Sequence, residues 1–163
     1  MGPVASQAPG ARGAAAVALA LAAALLAWPA PARAASCSFT LAGAIAFGTY
    51  DPFAGAPLDS VGTLTYRCSR GSPVVVSLGP GGGGSYARRA LASGGERLSY
   101  QLYLDAARTQ VWGDGTGGTA LGPGTVVTGP QGTRVAWIYA RIPPGQDVAP
   151  GVYGDSVQVT FEF

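Results

Sequence analysis

The chain has 163 residues, of which 48% are hydrophobic and only 11% charged, with ten basic residues, all arginine, against eight acids. That length fits one domain with a sizeable core. The near-neutral balance excludes the basic stripe that phosphate backbones demand, and the absence of histidine removes the usual general base and the commonest metal ligand, so nucleic-acid binding and most hydrolase mechanisms fall away.

The first predicted element is a secretory leader. Arg12 supplies a basic n-region, residues 14–27 an apolar h-region of Ala and Leu, and Ala32-Arg33-Ala34 a small-x-small cleavage signal. A membrane span needs about 20 unbroken apolar residues, and this run stops at Trp28-Pro29, so an integral membrane protein is not expected. Cleavage there assigns 1–34 to the leader and 35–163 to the mature domain. Arg12 and Arg33 leave with the leader, making the mature chain formally neutral, and only Ala35 and Ser36 then precede Cys37.

Export to an oxidising compartment and a count of two cysteines make Cys37 to Cys68 the one possible internal bridge. A redox pair would want Cys-x-x-Cys spacing. Closing a loop of this size stabilises a fold by about 3 to 4 kcal/mol in the chain-entropy model.

From Cys37 onward the pattern has period two, broken by Gly, Pro and Asp, with no helix of several turns. Cys37, Phe39 and Leu41 alternate with Ser38 and Thr40. Leu64, Tyr66 and Cys68 alternate with Thr63, Thr65 and Arg67, so the bridge joins the inner faces of two early strands. Pro73 opens a run in which Val74, Val76 and Leu78 share a face. Residues 79–84 read as a flexible glycine-rich connection. They lack the Gly-Lys-Ser/Thr of a phosphate loop. Leu98, Tyr100, Leu102 and Leu104 alternate with Ser99, Gln101 and Tyr103.

Trp112-Gly113-Asp114-Gly115 reads as a hairpin turn beside a packed aromatic, since it lacks the alternating oxygen ligands of a calcium loop. Val135 to Ile142 is apolar on both faces, as in a strand covered on each side, and Pro143-Pro144 ends it. Last come Val157, Val159, Phe161 and Phe163 on one face, with Ser156, Gln158, Thr160 and Glu162 on the other. Six or seven short strands at this spacing predict an all-β sandwich. The acids lie mostly beside Gly or Pro, where Asp serves turns, and no nucleophile stands next to a base. No enzyme is expected, and no cofactor or metal is called for.

Several pieces together resemble a family: Cys37 near the start, Phe47-Gly48-Thr49-Tyr50-Asp51-Pro52, Gly62 with Cys68, Leu98-Ser99-Tyr100-Gln101-Leu102-Tyr103, Trp112-Gly113-Asp114-Gly115, Ile142-Pro143, Gly145-Gln146 and Gly151-Val152-Tyr153-Gly154-Asp155-Ser156-Val157. In order and spacing they resemble the spore coat protein U family of secreted pilus subunits, assembled in archaic chaperone-usher systems. The resemblance covers nearly all of the mature chain. It implies an incomplete immunoglobulin-like β-sandwich lacking its last strand, completed by a donor strand from a partner. It also implies a periplasmic chaperone that lends a strand, an outer-membrane usher that exchanges it for one from another subunit, and a place on the cell surface in attachment and biofilm formation.

The final run supports the acceptor half independently, because a long apolar edge strand is an aggregation hazard unless something pairs with it. Val157, Val159, Phe161 and Phe163 are therefore the expected acceptor residues. A donor segment needs roughly five extended residues or more, and Ala35-Ser36 falls short of that. The expectation is a subunit that accepts a strand without donating one, at a chain end. The single domain departs from archaic tip adhesins, which carry two, so tip and shaft both stay open. Two other readings also remain open: a surface or spore coat protein that forms no ordered pilus, and a small carbohydrate-binding module using Trp112, Trp137 or Tyr139.

Overall fold

Branched and aromatic residues alternating with small polar ones favour the pleated, half-buried surface of a strand, and the computed structural model is built of strands with two single-turn 3-10 segments. It describes residues 37–42, 44–68, 73–122, 125–126 and 132–162, all within one unit, Ala34–Phe163. The expected leader, Ala35, Ser36, Phe163 and the side chain of Cys68 lie outside the described residues. Among the described residues no helix is long and apolar enough to cross a membrane.

The strands are β1 (Cys37–Ala42), β2 (Leu58–Cys68), β3 (Pro73–Leu78), β4 (Ala90–Ser93), β5 (Glu96–Ser99), β6 (Gln101–Tyr103), β7 (Thr125–Val126), β8 (Gly132–Ile142) and β9 (Val159–Glu162). One sheet has the order β1-β2-β8-β6, a second β7-β3-β9, and β4-β5 form a separate hairpin. All pairs are antiparallel. The spine is β2 against β8, in register from Leu58 opposite Ile142 to Cys68 opposite Gly132.

Because successive side chains point to opposite faces, β2 sends Leu64 and Tyr66 inward while β8 sends Ala136, Ile138, Ala140 and Ile142. From the other sheet Val74, Val76 and Leu78 meet them, all at most 1% exposed. Trp112 fills the space beside β3 and is fully buried. Its indole Nε1 donates to the Val76 carbonyl at 2.9 Å. The result is an incomplete immunoglobulin-like sandwich.

Three expectations need correction. The described residues hold nine strands rather than six or seven, partly because the Leu98–Leu104 run breaks at Tyr100: Leu98 pairs with Leu91 in the hairpin, whereas Leu102 pairs with Ala140 in the four-stranded sheet. Alternation survives the change of partner, so Leu98, Tyr100 and Leu102 all stay buried. Second, β8 is covered on one face only. Val135 and Trp137 are 51% and 55% exposed, since the four-stranded sheet is an outer layer of the sandwich. Third, the glycine-rich connection is a braced turn. Asp155 Oδ1 accepts from the Gly82 amide at 2.8 Å, and the Gly84 amide donates to the Gly81 carbonyl at 3.2 Å. The chain passes so close to Asp155 and to the Arg88 carbonyl that a Cβ at Gly81 or Gly83 would collide with them. Close approach, not mobility, is what glycine supplies here.

Candidate strand-acceptor groove

Both sheets end on the same side of the sandwich. β1 is the terminal strand of one and β9 of the other. The Phe39 ring of β1 stacks on Phe161 of β9 with centroids 4.7 Å apart and planes 12° apart, and Tyr66 meets the same Phe161 at 5.7 Å. Phe39 shares a face with Tyr66, its ladder partner, yet Tyr66 is 2% exposed and Phe39 60%. An inward-facing phenylalanine this wet marks a place where a layer of core is missing.

The same contrast runs along β9. Val159 and Phe161 lie opposite Leu78 and Val76, which are buried, but are themselves only half-buried. A cavity of about 330 Å³ opens beside them, lined by Val157 and Val159 from the β9 end and by Leu78, Leu102 and Ile138 from the two sheets.

Backbone direction follows from the ladder. The Gly79 amide donates to the Gln158 carbonyl at 2.8 Å, so Gln158 turns its polar groups toward β3. On the other side of β3, the Val76 carbonyl accepts from Gly122 and the Leu78 amide donates to Gly113, away from β9. In an antiparallel ladder the bonded positions alternate. Thr160 and Glu162 therefore bond to β3, opposite Ser77 and Val75, whereas Val159 and Phe161 present their N–H and C=O groups to the open edge. Among the described residues nothing pairs with that edge. Unpaired, it is a template for another strand.

The floor of the groove is held by a buried cation that sequence reasoning missed. Arg89 is 1% exposed. Its Nη2 donates to the carbonyls of Gly79 and Trp112, each at 2.8 Å, and its Nη1 donates to Gln101 Oε1 at 2.8 Å. Burial pulls its pKa down, opposed by Tyr100, Tyr86 and Asp155. The planar fork thus ties the end of β3, the Trp112 turn and the start of β6 together. Beside it the Tyr100 hydroxyl donates to Asp155 Oδ2 at 2.7 Å. Burial, then that hydrogen bond, push the Tyr100 phenol well above its ordinary value. Asp155 also accepts from the Gly82 and Ser156 amides, which fixes the chain just before Val157.

Of the residues expected at the edge, Val159 and Phe161 lie in β9 and face the core. Val157 precedes β9 and lines the cavity, and Phe163 is outside the described residues. Cys37 and Cys68 are direct partners at the end of the β1–β2 ladder. Trp112 is sealed in the core, so only Trp137 and Tyr139 of the three candidate sugar-stacking aromatics reach the surface.

A family model described as Spore Coat Protein U domain matches residues 22–160. "Protein U" of Myxococcus xanthus is 36% identical over 136 residues, covering 74% of this chain and 72% of that protein. The chain belongs to the spore coat protein U domain family. Among solved structures, it is similar to a chain of the CsuC–CsuE chaperone-tip adhesion subunit pre-assembly complex from the archaic chaperone-usher Csu pili of Acinetobacter baumannii. That similarity has a TM-score of 0.56 at 25% identity and covers 80% of this chain. This spore coat protein U domain spans 40% of the matched chain.

Proposed function

We propose that this protein is an exported structural subunit of a chaperone-usher type pilus or surface coat, and that it is assembled by donor-strand complementation. The observation that carries the reading is β9. Its inward side chains are half-buried beside fully buried partners on β3, and its outward backbone groups have no partner among the described residues. Adding one strand there satisfies the backbone through main-chain hydrogen bonds and fills the cavity with alternate side chains. A periplasmic chaperone supplies that strand first, an outer-membrane usher exchanges it, and another subunit supplies the final one. The chaperone–subunit complex among its structural relatives supports the first of these partners. Attachment to surfaces and biofilm formation are the roles such a fibre serves. A Cys37–Cys68 bridge closes the end of the β1–β2 pair next to the groove.

A proline scan of β9 tests the mechanism. Val159→Pro removes an N–H that faces the open edge and leaves the bonds to β3 intact, a position where an edge strand tolerates proline. Its complex with the pilus chaperone of the same organism is expected to weaken at least about tenfold, through one lost hydrogen bond and the ring's bulk against the incoming strand. Thr160→Pro breaks a β3 bond instead and is expected to lower the yield of folded chain. Undiminished chaperone binding by Val159→Pro would sink the proposal that strand addition occurs at β9.

A further inference from the structure

Strand addition at β9 leaves the outer face of the four-stranded sheet unused. Along its centre Val61, Val135 and Trp137 are 46%, 51% and 55% exposed, and Tyr139 lies opposite Val61 in the ladder. Threonines Thr63 and Thr65 stand directly beside Trp137 and Val135. Apolar side chains of this size, contiguous and wet, mark a contact surface. From Thr133 to Arg141 the strip runs about 27 Å at the usual strand rise.

Its two ends decide what it fits. At one end Arg67 is exposed, with Nε and Nη2 donating to Thr133 Oγ1 at 3.3 and 3.2 Å. At the other, two guanidiniums share one carboxylate: Arg141 Nε lies 2.7 Å and Arg108 Nη1 3.2 Å from Asp59. The Arg108 guanidinium also sits 6.0 Å from the Tyr139 ring centre. Counted by direct ion pairs, each end therefore has one guanidinium more than carboxylates, the exposed Arg67 at one and Arg108, 13% exposed, beside the Arg141–Asp59 pair at the other. A second copy laid face to face brings like charges together whether the strands run parallel or antiparallel. A partner that suits the whole strip is anionic at intervals and apolar between them.

We infer that this face binds an acidic polysaccharide. The C–H face of a sugar ring packs on Trp137, the amphipathic ring geometry that aromatics favour. The threonine hydroxyls exchange hydrogen bonds with sugar hydroxyls, and a sugar carboxylate displaces the Thr133 hydroxyl from the Arg67 fork, the Arg141 fork being held by both oxygens of Asp59. A single-stranded nucleic acid shares the anionic chemistry and the stacking, but binding without base readout needs a basic groove with several platforms. This face offers one exposed tryptophan among threonines.

The test is affinity electrophoresis of the full chain, as recovered from an exporting host, in gels containing polygalacturonate, uncharged galactan or single-stranded DNA. Retardation by polygalacturonate alone is expected, about tenfold weaker in Trp137→Ala, retained within about threefold in Trp137→Phe, and less salt-sensitive in Arg67→Gln. Unchanged thermal midpoints in these variants would separate the effect from folding. No retardation, equal retardation by galactan, stronger retardation by DNA, or an unchanged Trp137→Ala would each overturn the inference. So would self-association that disappears in Trp137→Ala while polygalacturonate binding does not. None of these outcomes bears on β9, which lies in the other sheet.

Discussion

Replacing Arg89 with methionine is expected to destabilise the domain by about 3–5 kcal/mol, the largest effect of any single substitution considered. Methionine matches the volume of the aliphatic stem but donates nothing. The carbonyls of Gly79 and Trp112, each bonded at 2.8 Å, would lose their side-chain donor, and the Gln101 amide oxygen would keep only the Leu102 amide. Each unsatisfied buried acceptor costs about 1–3 kcal/mol, and part is recovered by relaxation and by the apolar replacement. Arg89→Lys is the informative companion. It keeps the charge, but a single ammonium cannot span acceptors on three segments, so an intermediate loss is expected. The urea midpoint of chaperone-stabilised chain measures both. A loss under about 1 kcal/mol in Arg89→Met would show that the guanidinium is not a brace. Leu78, next to the Gly79 acceptor, is the ladder partner of Val159, so the same substitution is expected to reduce recovery of the complex.

The second large effect belongs to the cysteines. Direct partners in an antiparallel ladder have Cα atoms about 4.5–5.5 Å apart, inside the range a disulfide accepts. Cys37 and Cys68 are such partners, and Cys37 packs half-buried against the core. Removing the bridge with Cys37→Ser is expected to cost about 3–4 kcal/mol, a fall in thermal midpoint on the order of 10–15 °C for a domain of this size. Reductant is expected to bring the wild-type midpoint down to that of the variant. A wild-type midpoint insensitive to reductant and equal to that of Cys37→Ser would mean the two cysteines are unpaired.

Period-two alternation carried most of the fold. Leu64 and Tyr66, the Val74–Leu78 run and the β9 faces are all legible as sequence because each faces the core from one side of a pleat. Alternation says nothing about partners, which is why the switch at Tyr100 from hairpin to sheet left no trace. β8 shows a second limit. Apolar residues on both faces looked like burial on both, but hydrophobic residues are often left outside, and Val135 and Trp137 are. The brace under the groove was hidden for a different reason. An isolated Arg-Arg pair at 88–89 reads as surface charge, and Asp155 reads as a turn residue. Its hold on Gly82 spans 73 positions, which local composition cannot reveal.

Amide hydrogen exchange along β9 tests strand acceptance most directly, because one strand carries both the probe and its control. In the free chain Thr160 and Glu162, bonded to β3, should exchange slowly, while Val159 and Phe161, facing the open edge, should exchange fast. Adding the pilus chaperone should slow Val159 and Phe161 and leave the other two little changed. If Val159 and Phe161 are already as slow as their neighbours in a free monomeric chain, and stay so on adding chaperone, the edge is satisfied from within and the sandwich needs no donor.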